Sequence, residues 1–262
     1  MENKNFLSRF QILSGSMLKI IAIVAMFLDH AAVALHYQLP VLDDTLFHLG
    51  VINVTPYYIL RAIGRLAFPI FCFLIAEGIV HTRDVRKYAG RLLVFAVISE
   101  MFFDLLLAYN TVCFEPSFLD TLLAKPYILF SRQNTLFTLF FGVVLVYIYE
   151  RMDKQWLKWL CMVGLVVAAQ GLCLDYGAFG VLLVFVMYLF REQAAAKTVL
   201  AYPLLGKLTA MASFVPILMY NGQRGFGKSR FWKYAFYVFY PLHMLVLVGV
   251  AFLLNSLDIF WI

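Results

Sequence analysis

Asp29 and His30 interrupt an otherwise apolar run, Met17 to Leu35, that is long enough to cross a membrane. A carboxylate and an imidazole are costly inside a bilayer and are rarely there without a partner or a function. A neutral imidazole poised near pH 7 is the natural general base for activating an amine or a hydroxyl. A carboxylate beside it can fix its tautomer and stabilise its charged form. Neighbouring residues on a helix point about 100° apart, so Asp29 need not be that carboxylate. Glu100 and Asp104, one helical turn apart on a later run, are the other candidates. His243 supplies a second imidazole in the last apolar run, and Arg61 and Arg65 lie one turn apart on the second.

The helical rise of ~1.5 Å per residue turns sequence position into depth. His30 falls roughly 20 Å from the start of its run, about 10 Å below the far edge of a core about 30 Å thick. Arg65 and Glu100 come out roughly 12 Å from that edge, Arg61 and Asp104 roughly 6 Å, and His243 roughly 13 Å. The matching depths predict Arg65 opposite Glu100 and Arg61 opposite Asp104, either as ion pairs cementing two helices or as parts of a site. Asn134, Asp175, Tyr176, Asn221 and Arg224 fall near the same ends of their runs, while Glu77 lies at the opposite end as an interface residue. The expected catalytic set is therefore His30, Asp29, His243, Glu100 and Asp104.

These residues need a scaffold, and composition names it. The chain of 262 residues is 63% hydrophobic and 14% charged, against about 45–50% and about 25% in soluble globules. That is a polytopic membrane protein, expected to form one domain over residues 1–262. Apolar runs cover about 17–36, 57–80, 88–108, 134–150, 156–172, 176–190, 198–220 and 234–255. Backbone hydrogen bonds must be satisfied internally in lipid, so runs of this length are helices. The fold class is all-α, a transmembrane bundle of about eight helices. Glycines and prolines inside the runs mark kinks or close packing. Cys72, Cys113, Cys161 and Cys173 show no CxxC pairing, and no metal motif occurs. The first run is longer than a signal-peptide core and reads as a retained helix.

The net charge of +6 reads as topology and not as nucleic-acid binding, because Lys and Arg gather in the short connections. Residues 81–91, 150–158 and 191–197 are basic, as is the N-terminal tail. All fall on one side if each run crosses once, and the positive-inside rule makes that side cytoplasmic. The other side receives the Asp43-Asp44 loop, the long segment from Tyr109 to Gln133, and the Asp175-Tyr176-Gly177 turn. One connection breaks the pattern. NGQRGFGKSRFWK, Asn221 to Lys233, carries Arg224, Lys228, Arg230 and Lys233, yet eight crossings would put it outside. Either the 198–220 run, broken at Gly206-Lys207, does not cross simply, or the basic loop serves a ligand.

Several blocks resemble the TraX family of membrane proteins, named for the acetylase of conjugative F-pilin and distantly related to the acyltransferase-3 group. They are KIIAIVAMFLDH (Lys19 to His30), RAIGRLAFPIFCFLIAEG (Arg61 to Gly78), KYAGRLLVFAVISEMFFDL (Lys87 to Leu105), NTLFTLFFG (Asn134 to Gly142), DYGAFGVL (Asp175 to Leu182), YNGQRG (Tyr220 to Gly225) and KYAFYVFYPLHM (Lys233 to Met244). The segment from Tyr109 to Gln133 departs from the resemblance. The resemblance implies acetyl transfer from acetyl-CoA to an amine or hydroxyl acceptor at a bacterial inner membrane, where the basic connections put the N-terminus on the cytoplasmic side. In the pilin acetylase the acceptor is an N-terminal amine, so a pilin-like or other peptide is the expected partner, beside the lipid bilayer. It also implies His30 as the catalytic residue, with His243 a second site residue. Arg61, Arg65, Asn221, Arg224 and Lys228 become candidates for the CoA phosphates, since Arg forks suit phosphate. Two other functions fit the polar residues: a proton-coupled transporter relaying through Asp29, His30, Glu100 and Asp104, or a non-enzymatic pilus or peptide assembly factor. No repeat relates the two halves, which counts against transport.

Overall fold

Ser14 opens the first helix: its hydroxyl accepts from the Met17 N–H, and α1 runs Gly15–Leu35. The computed structural model describes residues 10–112, 131–226 and 229–256. One face of α1 is small and buried, with Leu18, Ala22, Ala25 and Ala32, while Ile20, Val24 and Phe27 stay exposed. Small residues let neighbouring helices approach closely in lipid, where apolar burial alone drives nothing. Beyond α1 come a 3₁₀ turn, Pro40–Asp43, and a hairpin of β1 (Phe47–Leu49) and β2 (Ile52–Val54).

Thr55 caps α2 (Pro56–Gly64) by accepting from the Tyr58 N–H. The chain bends at Arg65-Leu66 and continues as α3 (Ala67–His81). Pro69 explains the break, because its ring excludes the carbonyl of residue 65 from the helical ladder. Asp84 then accepts from the Lys87 N–H at 3.1 Å and starts α4 (Val85–Val112). That bond holds the Asp84 carboxyl below its usual range. Asn134 caps α5 (Thr135–Arg151), which is followed by α6 (Gln155–Gly171) and α7 (Gly177–Leu189). A Cβ on Gly142 would come within 2.6 Å of Val184, so α5 and α7 approach there through hydrogen alone.

Among the described residues three stretches are long and apolar enough to cross a bilayer: Gly15–Leu35, Pro56–His81 and Tyr234–Ser256. Exposed Val97 and Met101 on α4 and Val163 and Val167 on α6 extend the apolar exterior. The protein is a membrane protein with an all-α bundle, as its composition requires.

The helices differ in reach. Arg86 near the start of α4 bonds Tyr147 near the end of α5, whereas Asn134 at the start of α5 bonds Ala96 and Glu100 in the middle of α4. Helix α5, of 17 residues, therefore covers about one half of α4, and α6, of the same length, packs beside α5. Gln133 pairs with Leu174, so the α6–α7 turn sits at the same level. The bundle is thus stepped, and polar helix ends lie inside it.

The run at 198–220 does not cross. It breaks into α8 (Ala194–Leu205), α9 (Leu208–Met211) and α10 (Phe214–Leu218). Gly206 ends α8 in the left-handed conformation at φ 62°. At 12 residues α8 extends only ~18 Å, short of a ~30 Å core. The chain then returns to the start of α1. Leu13 N–H donates to the Met219 carbonyl, Asn221 N–H to Leu13, Gly15 N–H to Gln223, and Ser16 N–H to Arg224. Segment 194–218 is a re-entrant hairpin, and the last helix, α11 (Arg230–Ser256), begins on the same face as α1. This corrects the eight-crossing count and the direction assigned to the final run. It also puts Asn221 and Arg224 on the face that carries the other basic connections.

Candidate functional site

Parallel α1 and α11 bring two histidines together. Counted from the helix starts, His30 and His243 both lie ~20 Å up from the face where α1 begins. Their Nδ1 and Nε2 atoms are 2.7 Å apart, with ring planes 4° from parallel and centroids 5.0 Å apart. Nδ1 of His243 lies 2.8 Å from the Phe239 carbonyl, which can only accept. The tautomers of the neutral rings follow from this. Nδ1 of His243 carries its proton, so its Nε2 is an acceptor. Nδ1 of His30 must then donate to it, and Nε2 of His30 is left with a free lone pair. His243 is the buried member at 3% exposure, and His30 is half-buried. The pair has the form of a base and its orienting group, with an imidazole in the place a carboxylate usually fills.

Asp29 belongs to a different contact. Its Oδ2 accepts from Arg61 Nη1 at 2.6 Å. A Cβ on Gly64 would sit 2.2 Å from Asp29 Cβ, so only glycine lets α2 approach α1 at this point. Arg65 donates to Thr209 Oγ1 on the re-entrant hairpin at 3.3 Å. The predicted pairings Arg61–Asp104 and Arg65–Glu100 do not form. Glu100 instead accepts from the backbone and side-chain N–H groups of Asn134. Asp104 is 4% exposed, and its Oδ1 has no hydrogen-bond partner among the described residues. Depth alone could not choose between these arrangements, because it says nothing of the direction a side chain takes around its helix.

Asp175, in the α6–α7 turn, accepts from Thr135 Oγ1 at 2.7 Å and lies within electrostatic reach of Arg61. The polar layer is therefore shared by α1, α2, α4, the starts of α5 and α7, the hairpin tip and α11. Of its members, Thr135, Thr209 and the Phe239 carbonyl carry no signal in the sequence. The first two resemble any hydroxyl in a membrane helix.

Below this layer a cavity of about 620 Å³ opens toward the face where α1 begins. Its cations are Lys19, Arg83, Arg91 and Arg224, and Met26, Thr135 and Tyr240 form its upper end. Met26 and Tyr240 precede His30 and His243 by about one helical turn. Of the five residues expected to bind CoA phosphates, Arg224 lines this cavity, and Arg61 and Arg65 do not. Asn221 lies beside it, hydrogen-bonded to Leu13. Lys228 lies outside the described residues. Lys19 and Arg91 were legible as basic residues but not as neighbours, since helices α1 and α4 come together only in the fold. Among the described residues no group of His, Cys, Asp and Glu side chains could hold a metal.

The TraX protein family model matches residues 14–251, nearly the whole chain and every element that builds the polar layer. The chain belongs to the TraX family. A curated relative, the probable fimbrial assembly protein FimC of serogroup H1 from Dichelobacter nodosus, is 31% identical, covering 92% of this chain and 97% of its own. No solved structure matches. The TraX assignment agrees with the resemblance carried by the Lys19–His30 and Lys233–Met244 blocks, which hold the two histidines.

Proposed function

We propose that the protein is an acetyl-CoA-dependent acetyltransferase of the bacterial inner membrane, with His30 as general base. The observation that carries this reading is the chain Phe239 carbonyl, His243, His30, which leaves a basic Nε2 on His30. A base must be neutral, fixed in tautomer and able to reach its substrate, and this arrangement supplies the first two. His30 Nε2 takes the proton of the attacking amine or hydroxyl. The Phe239 carbonyl and His243 steady the positive charge that develops on His30. The same proton is then available to the departing thiolate, so the base is regenerated without a metal.

Acetyl-CoA supplies the acetyl group as an activated thioester. The residues present suit it: four cations, against the one carboxylate of Glu77, line a cavity whose upper end lies one turn below the histidines. Arg and Lys suit phosphates through charge and forked hydrogen bonds. The basic connections make this face cytoplasmic by the positive-inside rule, so the N-terminus lies where acetyl-CoA is made. An exported acceptor would reach the polar layer from the far side. The D. nodosus relative's name, probable fimbrial assembly protein, supports a pilin-like peptide as that acceptor. The same name favours a second reading, a non-enzymatic assembly factor. Mass spectrometry of cells with and without the protein separates the two. Acetylated peptides that disappear with the protein support transfer, and an unchanged acetylated set with defective pili supports assembly alone.

A further inference from the structure

The tip of the re-entrant hairpin carries a charge that the site has not used. Lys207 follows the left-handed Gly206 and is exposed. It lies within electrostatic range of Arg65, Arg61 and Asp29. Arg65 is tied to the same hairpin through Thr209. Asp29 is already engaged by Arg61 at 2.6 Å. Three cations thus share two carboxylates, Asp29 and Asp175, and among the described residues neither Arg65 nor Lys207 makes an ion pair.

The depth of this cluster gives the imbalance meaning. Lys207 lies ~20 Å along the hairpin from Ala194, and Arg65 lies ~24 Å up from His81, so both are level with His30. Unpaired cations at such depth persist where they line a water-filled or ligand-filled space. Asp29, bonded to Arg61, is the residue next to His30 in α1, so the cluster and the base lie at one level of the bundle. An anion carried by the acceptor would be held beside the base.

We propose that Arg65 and Lys207 form a binding site for an anionic group, a phosphate or a carboxylate, carried by the acyl acceptor. This rests on the acetyltransferase reading for the word acceptor, but the binding itself can be read without turnover. Arg65 supplies a fork and Lys207 a point charge, from two different elements, so the anion would also hold the hairpin tip against α2. The reacting amine or hydroxyl would then be positioned by a charge elsewhere on the same molecule.

The test is site-resolved labelling of Lys207 by an amine-acetylating reagent, quantified by peptide mass spectrometry on the full protein in phosphatidylcholine nanodiscs. Inorganic phosphate is added in one arm, and phosphatidylglycerol replaces part of the lipid in the other. Several-fold protection of Lys207 in either arm is the expected result. Protection by phosphate alone identifies a water-borne anion, and protection by phosphatidylglycerol alone a lipid headgroup. Protection should be lost in Arg65→Gln, kept in Arg65→Lys, and kept in Arg224→Gln, which alters only the lower cavity. Equal labelling in both arms and in the untreated protein would overturn the proposal, as would protection that survives Arg65→Gln.

Discussion

His30 Nδ1 and His243 Nε2 are 2.7 Å apart, and the next nitrogen along, Nδ1 of His243, is 2.8 Å from the Phe239 carbonyl. A carbonyl cannot donate, so it dictates the proton position on both rings. If this relay orients the base, His243→Ala leaves His30 free to rotate and exchange tautomers. Turnover should fall by about 10²–10⁴-fold, the range of positioned acid–base catalysis. The double variant with His30→Ala should be little worse than His30→Ala alone, because the two act as one unit. The pH–rate profile of His243→Gln should also shift, a change that loss of packing alone does not produce.

Asp29 and Arg61 form the tightest ion pair of the layer, and glycine at position 64 permits it. The pair is half-buried and Asp175 stays within reach of Arg61, so Asp29→Ala should destabilise by about 1–3 kcal/mol, the cost of losing a charge-assisted hydrogen bond. Adding Arg61→Ala should recover part of that loss, a coupling that thermal unfolding in detergent can measure. Gly64→Ala should cost about 1–3 kcal/mol through overcrowding against Asp29. If Asp29→Asn retains the His30 pH profile, Asp29 is a structural partner and not the orienting group.

Helix positions told the depth of the polar residues, and little more. His30 and His243 came out within a few ångströms of one another by counting, and they meet. That agreement survived an error in direction, because the final helix starts at Arg230 on the face opposite to the one assumed. The sign of the error was visible in the misplaced basic loop, and its cause in Gly206-Lys207. What counting could not supply was azimuth. Glu100 turned to Asn134 and Arg61 to Asp29, through contacts that depend on how Gly64 and Ala96 let helices approach. The second break, at Arg65, was also written in Pro69, four residues on.

The re-entrant hairpin makes a topological prediction. A cysteine at Gln223 should react with membrane-impermeant maleimide from the same side as a cysteine at Arg151 or Asp84. A cysteine at Val51, on the exposed hairpin tip, should react only from the other side. Labelling of Gln223→Cys from the Val51 side would restore a full crossing at 198–220.

Acetyl-CoA turnover by the purified protein decides whether His30 is a catalytic base. Purified protein in nanodiscs should release CoA thiol in the presence of acceptor peptides carrying a free amine, with matching acetylation seen by mass spectrometry. His30→Ala, shown to be folded by its unfolding temperature, should lose the reaction by about 10²-fold or more. Equal turnover in His30→Ala and the natural protein, or none in the natural protein with bound acetyl-CoA, would contradict the account.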